Sequence, residues 1–191
     1  MTDICSVSAV YLACSTMSDS ESSETPFIPN ADELLNRNKV FAADFADADL
    51  QVEPKRQLAV VECMDSRMDT FQILGLEHGA AHIIRNAGGV VTDDVIRSLT
   101  LSQRFLGTRE IILIHHTDCG LERVNEAEFK AELERELGVK PWWALESFTD
   151  PYADVRQSIH RLHMTPFVLH KDNIRGFVYD VGDGLLREVQ V

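Results

Sequence analysis

The segment "EIILIHHTDCG", from Glu110 to Gly120, joins a nearly continuous apolar run to a polar end. A strand with one face in water alternates apolar and polar residues, and this run does not. It therefore predicts a strand buried on both faces, as in a parallel sheet between layers of helices. Its polar end would lie at the carboxyl edge of that sheet, where ligands bind in such folds.

Short apolar runs alternate with helical stretches along the chain from Leu58 onward. Strands are predicted at 58–63, 81–89, 110–120, 174–181 and 185–191, and helices at 67–75, 92–107, 126–138 and 150–162. This alternation predicts an α/β domain with a mainly parallel β-sheet flanked by helices.

The N-terminal part is different in composition. Residues 1–29 are rich in Ser and Glu and predict a disordered acidic leader, within which Met17 is an alternative start. Residues 30–45 predict a helical arm, with Asn30 as its N-cap and Glu33 as the reciprocal partner. With 191 residues, 45% of them hydrophobic, the chain has material for one domain, predicted at 30–191.

Charge and composition exclude several kinds of partner. The net charge of −13 at pH 7 repels phosphate backbones, so no nucleic-acid partner is expected. No apolar run reaches the length of a membrane span, and the N-terminus lacks the positive start of a secretory signal. We therefore expect a cytoplasmic protein that neither binds membranes nor depends on disulfides among its four cysteines.

Three soft metal donors lie at predicted strand ends. Cys63 ends the strand at 58–63, and His116 and Cys119 stand three apart at the end of the next buried run. Parallel strand ends are neighbours, so two thiolates and one imidazole can converge on zinc. A structural zinc site normally has four protein ligands, whereas three ligands and one open position are typical of a catalytic site.

The turn after Cys63 carries a carboxylate and a guanidinium. Asp65 is within reach of the fourth metal position, and Arg67 can pair with Asp65 bidentately. Asp65 held by Arg67 leaves that position to water, and Asp65 bound to the metal shuts the site. In the open state, ionised Asp65 would orient a zinc-bound hydroxide toward a small electrophile.

These motifs resemble those of the β-class carbonic anhydrases. "CMDSR", then "RNAGG" with "TDDVIRSL", then "HTDCG" match that family in order and spacing, and the resemblance is densest from Val60 to Gly120. The length of the chain is similar to that of the shorter branch of the family. The resemblance implies zinc ligands at Cys63, His116 and Cys119 and a catalytic dyad of Asp65 and Arg67.

The resemblance also implies an activity and an assembly. The activity is the zinc-dependent reversible hydration of CO₂ to bicarbonate and a proton, with one Zn²⁺ per chain and Asp65 as a fourth ligand in a closed form. The assembly is a homodimer, or an oligomer built from dimers, in which the helical arm at 30–45 embraces the partner.

Two other functions fit the same residues. Carbon disulfide hydrolases share the fold and ligands of the resembled family, so CS₂ is an alternative substrate. A noncatalytic zinc or redox-sensing module would use Cys63 and Cys119 as a switchable thiol pair, although such a module has no need of Asp65 and Arg67.

Several neighbouring residues receive a structural interpretation. His115 should point away from the site because side chains alternate along a strand, and Asp118 is interpreted as a turn residue rather than a ligand. Asn86, Gly88 and Gly89 fit either a pocket wall or a tight turn. Any of the remaining histidines is a candidate proton shuttle: His78, His82, His160, His163 and His170.

Overall fold

The computed structural model describes residues 28–191, so the predicted leader at 1–29 lies outside the described residues except for its last two positions. The chain divides between Phe45 and Ala46 into two compact units. Within residues 28–191, the helices are all too short or too polar to cross a membrane.

The N-terminal unit contains the predicted arm as helix α1, Ala31–Ala43. The predicted Asn30 cap is wrong, since the Asn30 side chain makes no capping hydrogen bond. Its backbone, at φ −115° and ψ 6°, is outside the extended region from which a cap reaches the first amides. Glu33 instead accepts a hydrogen bond from Arg37 Nε at 2.9 Å. No residue of α1 is buried.

The second unit, Ala46–Val191, is built on one five-stranded sheet. Its strands are β1 Leu58–Cys63, β2 Ala81–Asn86, β3 Glu110–His116, β4 Ile174–Tyr179 and β5 Leu186–Glu188. The order across the sheet is β2-β1-β3-β4-β5. The first four are parallel and β5 is antiparallel to β4, which confirms the mainly parallel sheet.

Four helices accompany the sheet: α2 Thr70–Leu74, α3 Asp93–Leu106, α4 Glu126–Leu137 and α5 Pro151–Met164. Helix α2 is shorter than predicted because Asp69 caps it by accepting from the amides of Phe71 and Gln72, which leaves 67–69 in the preceding turn. Helix α4 has no buried residue, and Leu137 near its end is 69% exposed.

Helix α3 begins and ends where the sequence predicts. Thr92 Oγ1 accepts from the Val95 amide at 3.3 Å, and Gly107 ends the helix in the left-handed conformation.

Both faces of the central strands are buried. Ala59 and Val61 of β1 pack in one apolar cluster, which also takes side chains from α3 and α5, while Leu58 and Val60 pack in a second cluster on the opposite face. This double burial explains the continuous apolar runs. In the β1–β3 register Glu62 lies opposite Ile114, so the strands end side by side and bring their polar ends together.

Candidate metal centre

The three predicted donors meet at the carboxyl ends of β1 and β3. Their ligand atoms, Sγ of Cys63, Sγ of Cys119 and a ring nitrogen of His116, all lie within 4.8 Å of one another. The three residues are 4%, 2% and 0% exposed respectively. Two strand ends and one tight turn therefore form a compact, buried S₂N cluster that could hold a metal ion.

The donor set fits zinc. Tetrahedral coordination with Zn–S bonds of about 2.3 Å requires sulfurs about 3.8 Å apart, and the two Sγ atoms are 4.0 Å apart. His116 Nδ1 lies 2.9 Å from the Thr117 carbonyl oxygen, to which it can donate. Within the described part of the chain, the buried His116 Nε2 has no hydrogen-bond partner, so its lone pair is available to a metal.

Electrostatics favour a thiolate at Cys63. The neighbouring Cys119 thiol is the main cause that lowers the pKa of Cys63, and the nearby His116 ring and the backbone at Asp65 and Gly88 add to this effect. For His116, burial pulls the pKa down, but the neighbouring Cys63 thiolate outweighs burial and the net direction is upward. Metal binding would displace the protons that these groups share.

Asp65 is held by Arg67 in the arrangement that the sequence predicts for an open site. Arg67 Nε donates to Asp65 Oδ1 at 3.0 Å, and Nη2 donates to Oδ2 at 2.8 Å. These hydrogen bonds, with a further one from the Arg67 amide, lower the pKa of Asp65 well below its usual range. Asp65 Oδ2 lies 3.7 Å from His116 Nε2, so the carboxylate is beside the donor cluster but paired away from it.

A small, mainly apolar cavity of about 250 Å³ opens on the cluster. Its walls combine two donors, the carboxylate and apolar groups from three turns: Cys63, Met64, Asp65, Ala87, Gly88, Cys119, Gly120, Leu121 and Val124. A cavity of this size and character suits a small uncharged molecule next to the metal position.

The sequence left open whether the glycines after β2 form a pocket wall or a tight turn, and they do both. Gly88 lines the cavity, and it also lies in the left-handed region at φ 80°, where an added Cβ would be 2.5 Å from Leu121 Cδ2. At Gly89 an added Cβ would be 2.8 Å from the Cys63 amide nitrogen. Asn86 is a turn residue, since its Nδ2 donates to the Val90 carbonyl at 2.8 Å.

Sequence reasoning missed Arg85, which holds the turn that follows β1. Arg85 donates to the carbonyl oxygens of both Cys63 and Asp65, at 2.9 and 2.8 Å from Nη2. Its Nε is also 3.2 Å from Oε1 of the fully buried Glu62. Glu62 accepts a further hydrogen bond from Thr70, and burial raises its pKa. The available signal was Glu62 itself, a charged residue inside an apolar strand.

The other histidines lie outside the donor cluster. His115 Nε2 pairs with Asp154 Oδ2 at 2.7 Å, on helix α5. His82 Nδ1 is 2.8 Å from Ser102 Oγ, and His78 Nδ1 is 2.8 Å from Asp47 Oδ2. Asp118 forms part of the turn between His116 and Cys119 and is not among the clustered donors.

Comparison with known proteins identifies the class to which this fold and donor set belong. A family model described as "Carbonic anhydrase" matches residues 58–142. The chain is 50% identical over 158 residues to Beta-carbonic anhydrase 1 of Mycobacterium tuberculosis, covering 83% of this chain and 96% of that protein. A carbonic anhydrase structure from Streptococcus mutans matches with a TM-score of 0.80 and 42% identity, covering 86% of this chain and 100% of that one.

The chain therefore belongs to the β-carbonic anhydrase family, as its motifs predicted, and the predicted enzyme class, carbonate dehydratase, is confirmed. A shorter match is also informative. Carbon disulfide hydrolase of an Acidianus species is 50% identical over 86 residues, which span 45% of this chain and 42% of that protein.

Proposed function

We propose that the protein catalyses the reversible hydration of carbon dioxide to bicarbonate and a proton at a zinc ion held by Cys63, His116 and Cys119. The convergence of these three donors beside a small apolar cavity carries this proposal. A zinc ion held there would supply Lewis acidity, which lowers the pKa of a bound water molecule toward neutrality.

The surrounding residues have separate parts in this proposal. Asp65, kept ionised by Arg67, accepts a hydrogen bond from the attacking water and so fixes its orientation. The walls from Leu121 and Val124 exclude bulk water and provide an apolar surface for a substrate without charge. Gly88 lines the cavity and, having no side chain, leaves room for the substrate.

Stopped-flow measurement of CO₂ hydration, with metal analysis of the same sample, tests the proposal. We expect about one zinc per chain, activity that disappears when a chelator removes the metal, and recovery when zinc is restored. Hydration at the uncatalysed rate by the fully zinc-loaded protein would reject the proposed function.

Carbon disulfide is the second candidate substrate, because the Acidianus relative is named for its hydrolysis and is 50% identical to this chain over 86 residues. The cavity is apolar enough for either molecule. Comparing kcat/KM for CO₂ and CS₂ on the zinc-loaded protein separates the two, and the family-wide match leads us to expect the larger value for CO₂. Family membership also argues against the noncatalytic redox module.

We also propose that the protein assembles as a homodimer through its arm. The apolar side chains of α1 are exposed, among them Leu34 at 54%, Val40 at 72% and Phe41 at 55%. An isolated helix of 13 residues is marginal in water and gains most of its stability from packing. Sedimentation of the wild-type chain should give a dimer that Phe41→Glu weakens.

The cytoplasmic location stays a prediction.

A further inference from the structure

Arg67 has a second carboxylate partner that the Asp65–Arg67 dyad does not explain. On the edge of the guanidinium away from Asp65, Nη1 donates to Asp118 Oδ2 at 2.9 Å. Nη2 also donates to the Asp118 carbonyl oxygen at 2.9 Å. The guanidinium thus connects the turn after β1 to the turn after β3, and four of its five N–H groups are engaged by these two aspartates.

The position of Asp118 is fixed by its backbone conformation and by the contacts of its neighbours. Its backbone is in the left-handed region at φ 57°, a conformation that persists where the surroundings impose it. The neighbouring Thr117 amide donates to the Tyr179 carbonyl at 2.9 Å, and Thr117 Oγ1 accepts from the Val181 amide at 3.1 Å. The other carboxylate oxygen of Asp118 pairs with Arg123.

We propose that Asp118 is a positioning residue that anchors the Arg67 guanidinium from the far side, so that Arg67 remains where it holds Asp65 off the metal. This inference rests on the proposed zinc site. Asp65 and Asp118 accept from different N–H groups, so they do not compete for hydrogen bonds. Without Asp118 the long Arg67 side chain reaches other rotamers, and each of these leaves Asp65 free to take the fourth metal position.

The pair of Arg67 and Asp118 is partly exposed to solvent, which limits how strongly Asp118 can hold Arg67. The side chains of Arg67 and Asp118 are 43% and 49% exposed, and exposed ion pairs are weakened by water and salt. Substitution of a residue that orients a metal site typically reduces metal affinity or activity by about 10- to 100-fold. We expect an effect toward the low end of that range for Asp118.

The test measures access to the metal rather than turnover alone. The wild type, Asp118→Gly and Asp118→Asn are loaded with cobalt(II), and azide binding to the metal is titrated by visible absorption. Glycine tolerates the left-handed backbone and removes the carboxylate, while asparagine keeps the backbone and one neutral acceptor. Asp94→Asn, which removes an exposed carboxylate paired with Arg97 at 2.7 Å on α3, is the matched control.

The expected result is azide affinity about tenfold weaker in Asp118→Gly and about threefold weaker in Asp118→Asn, with CO₂ hydration reduced in the same order. The Asp94→Asn control should match the wild type. A purely structural role for Asp118 would lower the melting temperature without changing azide affinity, and that outcome overturns the inference. Unchanged or tighter azide binding in both Asp118 variants also overturns it.

The outcome is separable from failure of the proposed function. Wild-type protein that binds no stoichiometric metal or does not hydrate CO₂ rejects the proposed function itself. A wild type that does both, with Asp118 variants indistinguishable from it in azide binding, rejects only the anchoring by Asp118. If Asp118→Gly does not fold, the Asp118→Asn titration decides alone.

Discussion

The turns that follow β1 and β3 both carry metal donors, but they are held in different ways. The β1 turn, which begins at Cys63, has backbone bonds from Met64 to Asn86 and from Met68 to Asp65, and its carboxylate, Asp65, is bound by a single arginine, Arg67. The β3 turn, which ends at Cys119, also has backbone bonds, from Thr117 to Tyr179 and from Glu122 to Cys119, but its carboxylate, Asp118, is bound by two arginines, Arg67 and Arg123.

This difference indicates a division of labour. A carboxylate bound by two arginines and carried on a left-handed backbone has little freedom to exchange partners, so the β3 turn serves as the rigid half of the site. A carboxylate held by one long arginine side chain can exchange its partner, so the β1 turn contains the part that can move. Asp118 belongs to the rigid turn yet touches Arg67, which is why it can restrain the movable half.

The largest effect should come from removing a donor. Cys63→Ser replaces a buried thiolate with a poorer zinc ligand, so we expect zinc content to fall far below one per chain and hydration to approach the uncatalysed rate. Metal analysis and stopped-flow assays measure both. Cys14→Ser, outside the predicted site, is the control. Full zinc content in Cys63→Ser would show that this thiol is not a ligand.

Next in size is the loss of the restraint on Asp65. Arg67→Ala should keep zinc but reduce kcat about 100-fold, because freed Asp65 takes the fourth position. A crystal structure of the zinc-loaded variant should show an Asp65 oxygen on the metal. Water at that position together with wild-type rates would contradict the movable role of the β1 turn.

Loss of Arg85, which holds the β1 turn, should mainly lower the stability of the protein. Arg85→Gln leaves the buried Glu62 without its cationic partner and should lower the free energy of unfolding by about 2 kcal/mol. Denaturant titration measures this. The control, Arg175→Gln, breaks an exposed pair with Glu188 and should cost less than about 1 kcal/mol. Equal losses of stability in the two variants would show that Arg85 stabilises the protein no more than an exposed ion pair does.

The pH dependence of that variant has a defined sign. Burial raises the pKa of Glu62, so the unfolded chain loses this proton at a lower pH than the folded protein does. Stability from this group therefore falls as pH rises from the unfolded pKa, about 4.3, through the folded value. Removing Arg85 should extend that fall to higher pH, and a pH-independent difference between variant and wild type would contradict this.

The smallest change in stability is expected from Glu126, which lies outside both turns. The carboxylate of Glu126 accepts from the amides of Leu145 and Glu146 and pairs with Lys130. These contacts, led by Lys130, lower the pKa of Glu126, so its stabilising contribution is lost as pH falls through that lowered pKa. Glu126→Gln should lower the melting temperature slightly at neutral pH and not at strongly acidic pH, with Glu132→Gln as the control.

The sequence was most informative where one local rule acts alone. Thr92 and Gly107 delimit α3 as predicted, because capping and left-handed glycine depend on adjacent residues. Convergence of Cys63 with His116 and Cys119 followed from the order of parallel strands. The Asn30 cap failed because the local backbone did not adopt the geometry that capping needs.

What the sequence could not give depends on contacts between distant segments. Arg85 reaches the β1 turn from the neighbouring strand, and Asp118 reaches Arg67 from the turn after β3. Neither contact leaves a local pattern, since each depends on side-chain direction across the sheet edge. The buried Glu62 was a visible anomaly, but its partners could be identified only from the fold.

X-ray absorption at the zinc edge on the purified, zinc-loaded protein tests the central claim most directly. We expect two sulfur ligands at about 2.3 Å, one imidazole nitrogen and one further oxygen per zinc, and we expect the double variant Cys63→Ser, Cys119→Ser to retain almost no zinc. A shell of four protein sulfurs and nitrogens, or full zinc content with an unchanged spectrum in the double variant, would contradict the proposed site.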